Sequence, residues 1–526
     1  MSKRLAFAAV AVLLGATGAV AAAEATRISL AKFSKDPKLA DALNAGFAAM
    51  RQDSGADPMS DSFHTSLAYW ANTHGYFGAG KHAHSMAQLD AARHQCAGRY
   101  DKETCDIYYH HVVSATPPAD GYSDDIWGTC QHGTLMFLPW HRFYLHYFER
   151  TLRKQSHDPS LALPYWNYYD NYVPKSKGLT APPLVTPAVS PLYDQWRTPG
   201  LNTRTTVMDP DSADASQAFG YADFSDFSDQ IQNQPHGTMH CATGSNCGMP
   251  DIGMVPVAGN DPVFYMHHAN IDRLWQCWMK KKASGQPMTL KWARENLGMN
   301  EDWFAAKFTF VNENGKPVTH TVADVFSAEF TPQYDKLDNC DAKPPALLKP
   351  KAAGPLAFAT TPLKPHAPLA SGKAVTLGDS DIVVNLVPLQ GAPAPKSFAG
   401  KKASGHTWLV LENVQLQGTP ALTYKIYLSS KSNPAKRSYV ATFNFFGVGD
   451  AHPGHAAQGA SGSLGTLAYK VNANLGEVGI VSAADIAVGF VPTDHTLGVK
   501  AAKQSAGDGV TVANIRLENA ATKPSK

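Results

Sequence analysis

Histidines at three spacings carry the chemistry of this sequence. His236 and His240, in His236-Gly-Thr-Met-His240, are four apart, which puts both imidazoles on one helix face where they can hold one metal ion. His132 and His141 are nine apart and separated by Pro139, which can open a helix. From there His141, Leu145, Phe148 and Leu152 recur at the spacing of one helical face, so His141 begins a buried face and His132 reaches the same place from a loop. In the run from Asp261 to Trp275, His268, Asp272 and Trp275 share the face of another helix. Neutral imidazole suits an ion that cycles between Cu(I) and Cu(II), whereas carboxylates favour harder ions. A zinc protease is disfavoured, because Gly237 and Thr238 follow His236 where that motif carries its glutamate base.

These runs resemble the two copper-binding signatures of the type-3 copper family, which comprises tyrosinases, catechol oxidases and molluscan-type hemocyanins, over roughly residues 61–278. The resemblance implies two copper ions per chain, each held by three histidines, with dioxygen and a small phenol as partners. On this pattern His132 and His141 belong to the first copper. Its remaining ligand is expected from the run Ser66 to Gly78, where His74 ends a helix and Gly75 suits a left-handed cap. The pair His110-His111 competes with His74. The second copper takes His236, His240 and His268; of the adjacent pair the later histidine ligates, and His267 lines the cavity or packs. Gly237 and Gln232 stand where hydroxylating relatives carry an asparagine and a glutamate, which removes the base for a phenol proton. Val255 stands where some catechol oxidases have a blocking phenylalanine. The expected reaction is oxidation of o-diphenols to o-quinones, with o-hydroxylation of monophenols left open. The alternative is a hemocyanin-like carrier that binds dioxygen reversibly.

Seven cysteines are an odd number for an exported chain. Several family members join a cysteine to the second histidine of the first site by a thioether, and Cys130-Gln131-His132 has that spacing. Six then remain for disulfides. Cys96 with Cys105 and Cys241 with Cys247 can close small loops, which leaves Cys277 with Cys340, although six cysteines allow fifteen pairings.

These residues must be positioned by a mainly helical domain, and 526 residues are too many for one core. Residues 1–23 read as a signal peptide, with Lys3 and Arg4 before an apolar run, so export to a periplasm or medium is expected. Loss of Lys3 and Arg4 takes the formal charge from +2 to 0, and that balance argues against nucleic acid as a partner. No later stretch is long enough for a membrane anchor, and oligomers are left open. The expected order is a dicopper catalytic domain at 24–342, a proline-rich linker at 343–375 and an antiparallel β-sandwich at 376–526. Runs at 407–414, 422–428, 438–446, 485–491 and 510–517 supply its strands. As in latent members of the family, this sandwich can cover the copper site. Phe443, Phe445 and Phe446 are the candidates for the side chain in its mouth; alternation pairs Phe443 with Phe445, one for the core and one for the mouth.

Elsewhere His82, His84 and His94 read as solvated residues of an inserted loop, residues 174–230 as a long surface excursion, and Arg142, Asp272 and Arg273 as ion-pairing residues that fix the site helices.

Overall fold

A computed structural model describes residues 25–99, 101–247, 250–344, 347, 367–389, 406–417, 423–447, 463–480, 482–497, 509–520 and 524. The expected signal peptide and most of the expected linker lie outside them. The described residues form a helical unit followed by two antiparallel sheets, as the sequence leads one to expect, and each has its own apolar core. No helix among them is long and apolar enough to cross a membrane.

Two long helices, Phe137–Ser156 and Val263–Ala283, form the centre of the helical unit, and almost every side chain along them is buried. Pro139 lies in the first turn of one, where a missing N–H costs no hydrogen bond. Both end on a left-handed residue, His157 and Ser284. Aromatic faces bring them together: Phe148 stacks on Tyr265 at 3.6 Å, and Tyr144 on the same ring at 5.9 Å. Helix Pro37–Asp53 packs on the same face, with Phe47 at 5.7 Å from Phe148.

Charged groups tie these helices together. Asp272 accepts from Arg142 at 2.7 Å and from the Tyr334 hydroxyl at 2.6 Å, and Arg27 reaches Glu149 at 2.7 Å. The Arg142 guanidinium also lies 4.0 Å from the Trp275 ring. Arg273 departs from expectation: it makes no ion pair among the described residues but bonds Asn270 Oδ1 and the carbonyls of Lys336 and Cys340. Those carbonyls return from a distant segment, so spacing within the helix did not reveal them.

Residues 174–230 are not a surface excursion. Short 3-10 and α turns hold Val185, Leu192, Leu201, Phe224 and Phe227 in the core. The insert after His74 is helical, Met86–Arg99 and Lys102–Tyr109, and Cys96–Cys105 pins the two helices together. Cys241–Cys247 and Cys277–Cys340 are the other two disulfides.

The C-terminal sheets are antiparallel throughout. One orders the strands Arg437–Phe443, Thr423–Ser430, Ile486–Thr493 and Ile382–Asn385; the other is built on the long pair His406–Gln417 and Gly509–Ala520, flanked by Ser463–Lys470 and Ala367–Gly372. The strand Ala367–Gly372 falls inside the stretch read as linker. Its Pro368 sits where the ladder shifts register between Leu517 and Glu518, a place that tolerates a residue without an N–H. Polar side chains join sheet to helices: Lys425 meets Asp209 and Asp211, and Tyr221 donates to the Ala468 carbonyl at 2.6 Å.

Removing one partner of a buried ion pair leaves the other charge without compensation, so Asp272→Ala should lower the folding free energy by about 3–5 kcal/mol. Urea denaturation of the two proteins at neutral pH measures this, and a loss below about 1 kcal/mol would show that Arg142 finds another acceptor.

Candidate metal centre

Two groups of histidines meet between the long helices: His74, His132 and His141 in one, and His236, His240, His267 and His268 in the other. Within each group the ligand-type nitrogens lie within 4.8 Å of one another. The groups adjoin, since His141 stacks on His268 at 4.4 Å and His132 on His236 at 5.6 Å.

Each histidine arrives from its own element. His74 ends the helix Leu67–His74, which Ser66 caps at its start by accepting from Tyr69 N. Gly75 is not left-handed; its backbone is extended, and glycine is needed because a Cβ would come within 2.8 Å of Pro256 Cα. That close approach lets the Val255 carbonyl accept from His74 Nδ1 at 3.0 Å. His141 lies in the first turns of Phe137–Ser156, and His132 on the preceding loop. The kink that precedes His236 lies at Gln234; beyond it Gly237 and Thr238 are right-handed helical, so His236 and His240 stand one turn apart, with their rings 4.7 Å from each other. His267 and His268 follow each other on Val263–Ala283.

Backbone carbonyls set the tautomers. Besides His74, His141 Nδ1 donates to Phe137 O at 2.8 Å, His236 Nδ1 to Gln232 O at 2.9 Å and His240 Nδ1 to Ile252 O at 2.7 Å. A carbonyl oxygen can only accept, so in these four the proton is on Nδ1 and the Nε2 lone pair is left for a metal ion. Nε2 of His141 and of His236 is buried with no hydrogen-bond partner among the described residues. Burial also keeps the rings neutral. It holds His236 down at about 3, and His141, His240 and His268 well below the usual histidine value, helped in those three by neighbouring histidines. His240 Nε2 and His268 Nε2 are 3.3 Å apart. Two nitrogens on one tetrahedral ion about 2.0 Å from each would be separated by about 3.3 Å, so the donor set fits a shared cation.

The substrate-pocket candidates have other partners. Gln232 accepts from Gly133 N at 2.9 Å and donates to Thr134 O at 3.1 Å, which ties the His132 loop to the His236 turn. Val255 serves His74 through its carbonyl. Gly237 is a notch: a Cβ there would lie 2.6 Å from Asn444 Oδ1. His111 is carried away from the cluster; it stacks on Trp196 at 4.2 Å and meets Asp251 at 3.2 Å. His84 is buried rather than solvated, beside Phe77, while His94 is exposed on Met86–Arg99 and turns back to Asp90 O; neither belongs to either group.

The side chain over the histidines is Phe446. Its ring stacks on His240 at 4.1 Å and lies 5.6 Å from His236 and 6.2 Å from His132. Phe443 and Phe445 both turn to the sheet core, Phe443 against Tyr424. The alternation fails because the strand ends at Phe443 and the chain turns. Asn444 and Asn233 exchange hydrogen bonds through side chain and carbonyl, Asn444 Oδ1 accepts from Phe446 N, and Gly447 takes a left-handed φ of 75°. Asn233 and Asn444 gave no signal in the sequence, since their pairing exists only once both units are folded.

Residues 82–207 and 189–281 match the common central domain of tyrosinase, a span that includes six of the clustered histidines already named but starts after His74. In these residues the chain carries a tyrosinase-family domain. It is 26% identical to a tyrosinase of Hahella sp. (strain CCB-MM4) over 65% of this chain and 75% of that one. It is 27% identical to the latent polyphenol oxidase of Prunus armeniaca over 58% of this chain and 53% of that one, and 32% identical to catechol oxidase B of Solanum tuberosum over 38% and 37%. The chain thus spans about half the length of the Prunus relative and less of the Solanum one. The fold is that of latent apple tyrosinase, at a TM-score of 0.54 and 21% identity, with 95% of this chain and 98% of that one covered.

Buried neutral histidines make the metal-free protein sensitive to acid. Burial lowers His146, His236 and His495 from 6.5 to about 3. The unfolded chain takes up these protons near pH 6.5 and the folded chain does not, so stability is complete above that pH and falls as the pH drops toward 3, by about 1.4 kcal/mol per unit for each group. The melting temperature of the metal-free protein should be clearly lower at pH 5.0 than at pH 7.5; an equal or higher value would mean that these imidazoles are hydrated.

Proposed function

We propose that this protein is an exported oxidase that uses two copper ions and dioxygen to convert o-diphenols to o-quinones. The observation that carries the proposal is the pair of adjoining histidine groups with Nε2 lone pairs facing inward. His74, His132 and His141 would hold one ion, and His236, His240 and His268 the other. When bound, the copper pair supplies the two-electron exchange with dioxygen, so that two diphenols are oxidised for each dioxygen reduced to water.

The chain itself orients the rings and keeps water away. Phe264 lies 4.7 Å from His74 and 4.3 Å from His268, and Phe137 lies 4.5 Å from His141 and 4.6 Å from His236. These apolar walls favour neutral imidazole over imidazolium and lower the local dielectric. The His240 face under Phe446 offers a phenol ring a surface of the right shape for stacking. Residues 24–342 would then form the catalytic part and 376–526 a cover whose Phe446 excludes the substrate until it is moved.

That cover also suits the oxygen-carrier reading, because a capped site admits dioxygen and rejects phenols. Catechol turnover separates the two. Phe446→Ala should raise turnover at least about 10-fold over the unaltered chain, since the substrate gains the surface that Phe446 occupies. Cleavage within residues 350–368 should act in the same direction. A Phe446→Ala protein that carries both coppers, binds dioxygen reversibly and makes no quinone would establish the carrier instead.

Cys130 lies outside the three disulfides, buried, with Sγ 3.3 Å from His132 Nδ1. A thioether between Sγ and the adjacent ring carbon would lock this loop imidazole, with loss of the thiol hydrogen and one ring hydrogen and transfer of two electrons to dioxygen. Peptide mapping of the copper-loaded protein should find the two residues in one linked species, two hydrogens lighter, that survives reduction. Quantitative alkylation of Cys130 would contradict it.

A further inference from the structure

The second group holds four imidazoles, one more than a three-histidine site uses, and His267 differs from its neighbours in what faces its ring. Its Nδ1 meets no carbonyl. It meets the Tyr168 hydroxyl at 2.8 Å, with both residues buried. No other acceptor lies within hydrogen-bond distance of that hydroxyl among the described residues.

The direction of this hydrogen bond follows from the hydroxyl. A buried O–H needs an acceptor, and among the described residues the one within reach of Tyr168 is His267 Nδ1, so the hydroxyl donates and the imidazole accepts. A neutral imidazole that accepts on Nδ1 carries its proton on Nε2. This is the reverse of the tautomer that carbonyls impose on His74, His141, His236 and His240. Neither nitrogen of His267 is then open to a metal: one lone pair is used by Tyr168 and the other position bears hydrogen. Yet Nε2 is buried, finds no partner among the described residues, and belongs to a ring 4.5 Å from that of His240 and 5.5 Å from that of His236. A buried N–H with no acceptor is unfavourable, and an oxygen brought into the site would relieve it.

Resting on the proposed phenol oxidation, we infer that His267 is an Nε2–H donor to the phenolic oxygen of the substrate rather than a fourth metal-binding imidazole, held in that tautomer by the positioning residue Tyr168. A donor fixed at that oxygen favours the phenolate over the phenol and orients the ring before electrons are exchanged.

The test compares the full, copper-loaded chain with His267→Leu, His267→Gln and Tyr168→Phe. All three variants should keep the copper content of the unaltered protein. Catechol kcat/KM should fall about 100-fold in His267→Leu, recover to within about 10-fold in His267→Gln, whose side-chain amide can donate from the same place, and fall about 10-fold in Tyr168→Phe. In metal-free protein carrying 15N-labelled histidine, the imidazole whose signals vanish in His267→Gln should show the Nε2–H pattern and lose it in Tyr168→Phe. Loss of copper in either His267 variant would make His267 a ligand and overturn the inference, as would equal turnover of the Leu and Gln variants or a 15N pattern indifferent to Tyr168. If the unaltered chain binds copper but oxidises no catechol, the oxidase reading fails, and the 15N pattern still decides whether the relay exists.

Discussion

The site depends on hydrogen bonds from imidazole Nδ1 to backbone carbonyls. A free imidazole offers either nitrogen to a metal and rotates between them; a carbonyl at Nδ1 leaves one lone pair in one direction. Phe137, Gln232, Val255 and Ile252 supply these carbonyls from four different elements, so the inward array exists only when all four are packed in register. Phe137 and Gln232 stand one helical turn before the histidines they hold. Val255 and Ile252 come from another segment, and the Gly75 backbone against Pro256 is what brings that segment close enough to reach His74.

Such an array is expensive to assemble without metal. Several polar rings leave water together, and none becomes charged at neutral pH because burial opposes it. The free energy that offsets this comes from elsewhere in the helical unit: the aromatic packing between Phe137–Ser156 and Val263–Ala283, and the Arg142–Asp272 pair with the Tyr334 hydroxyl that donates to it. Ion binding would recover part of the rest, which makes metal uptake and stability two aspects of one equilibrium. The sheets add a cover by polar contacts, through Lys425 with its two aspartates and through Asn233 with Asn444, and by a small apolar cluster in which Tyr221 stacks on Trp408 at 5.8 Å.

Much of this was legible because metal ligands leave strong local signatures. The paired histidines, the proline in the first turn of one long helix, the short-range cysteine pairs and the alternating strands near 407–414 and 510–517 are all patterns of neighbours in sequence. What was not legible depends on contacts between distant segments. Phe446 rather than Phe443 or Phe445 covers the histidines because the strand stops at Phe443, and that stop is made by Asn233, far upstream. Arg273 was read as an ion-pairing residue because its acceptors, two carbonyls past residue 335, leave no mark on the helix sequence. Tyr168 lies 99 positions from the histidine that it holds. Gly237 reads in sequence as a missing side chain and in the fold as the space that the Asn444 amide fills.

The central claim is that six imidazoles, three from each group, form adjoining sites for two copper ions. Anomalous scattering at the copper edge from crystals of the copper-loaded chain tests it directly. The predicted result is two peaks of equal weight, one bonded by His74, His132 and His141 and the other by His236, His240 and His268, with His267 outside the coordination of both. A single peak, a peak at the zinc edge in its place, or a peak bonded by His267 would contradict the account.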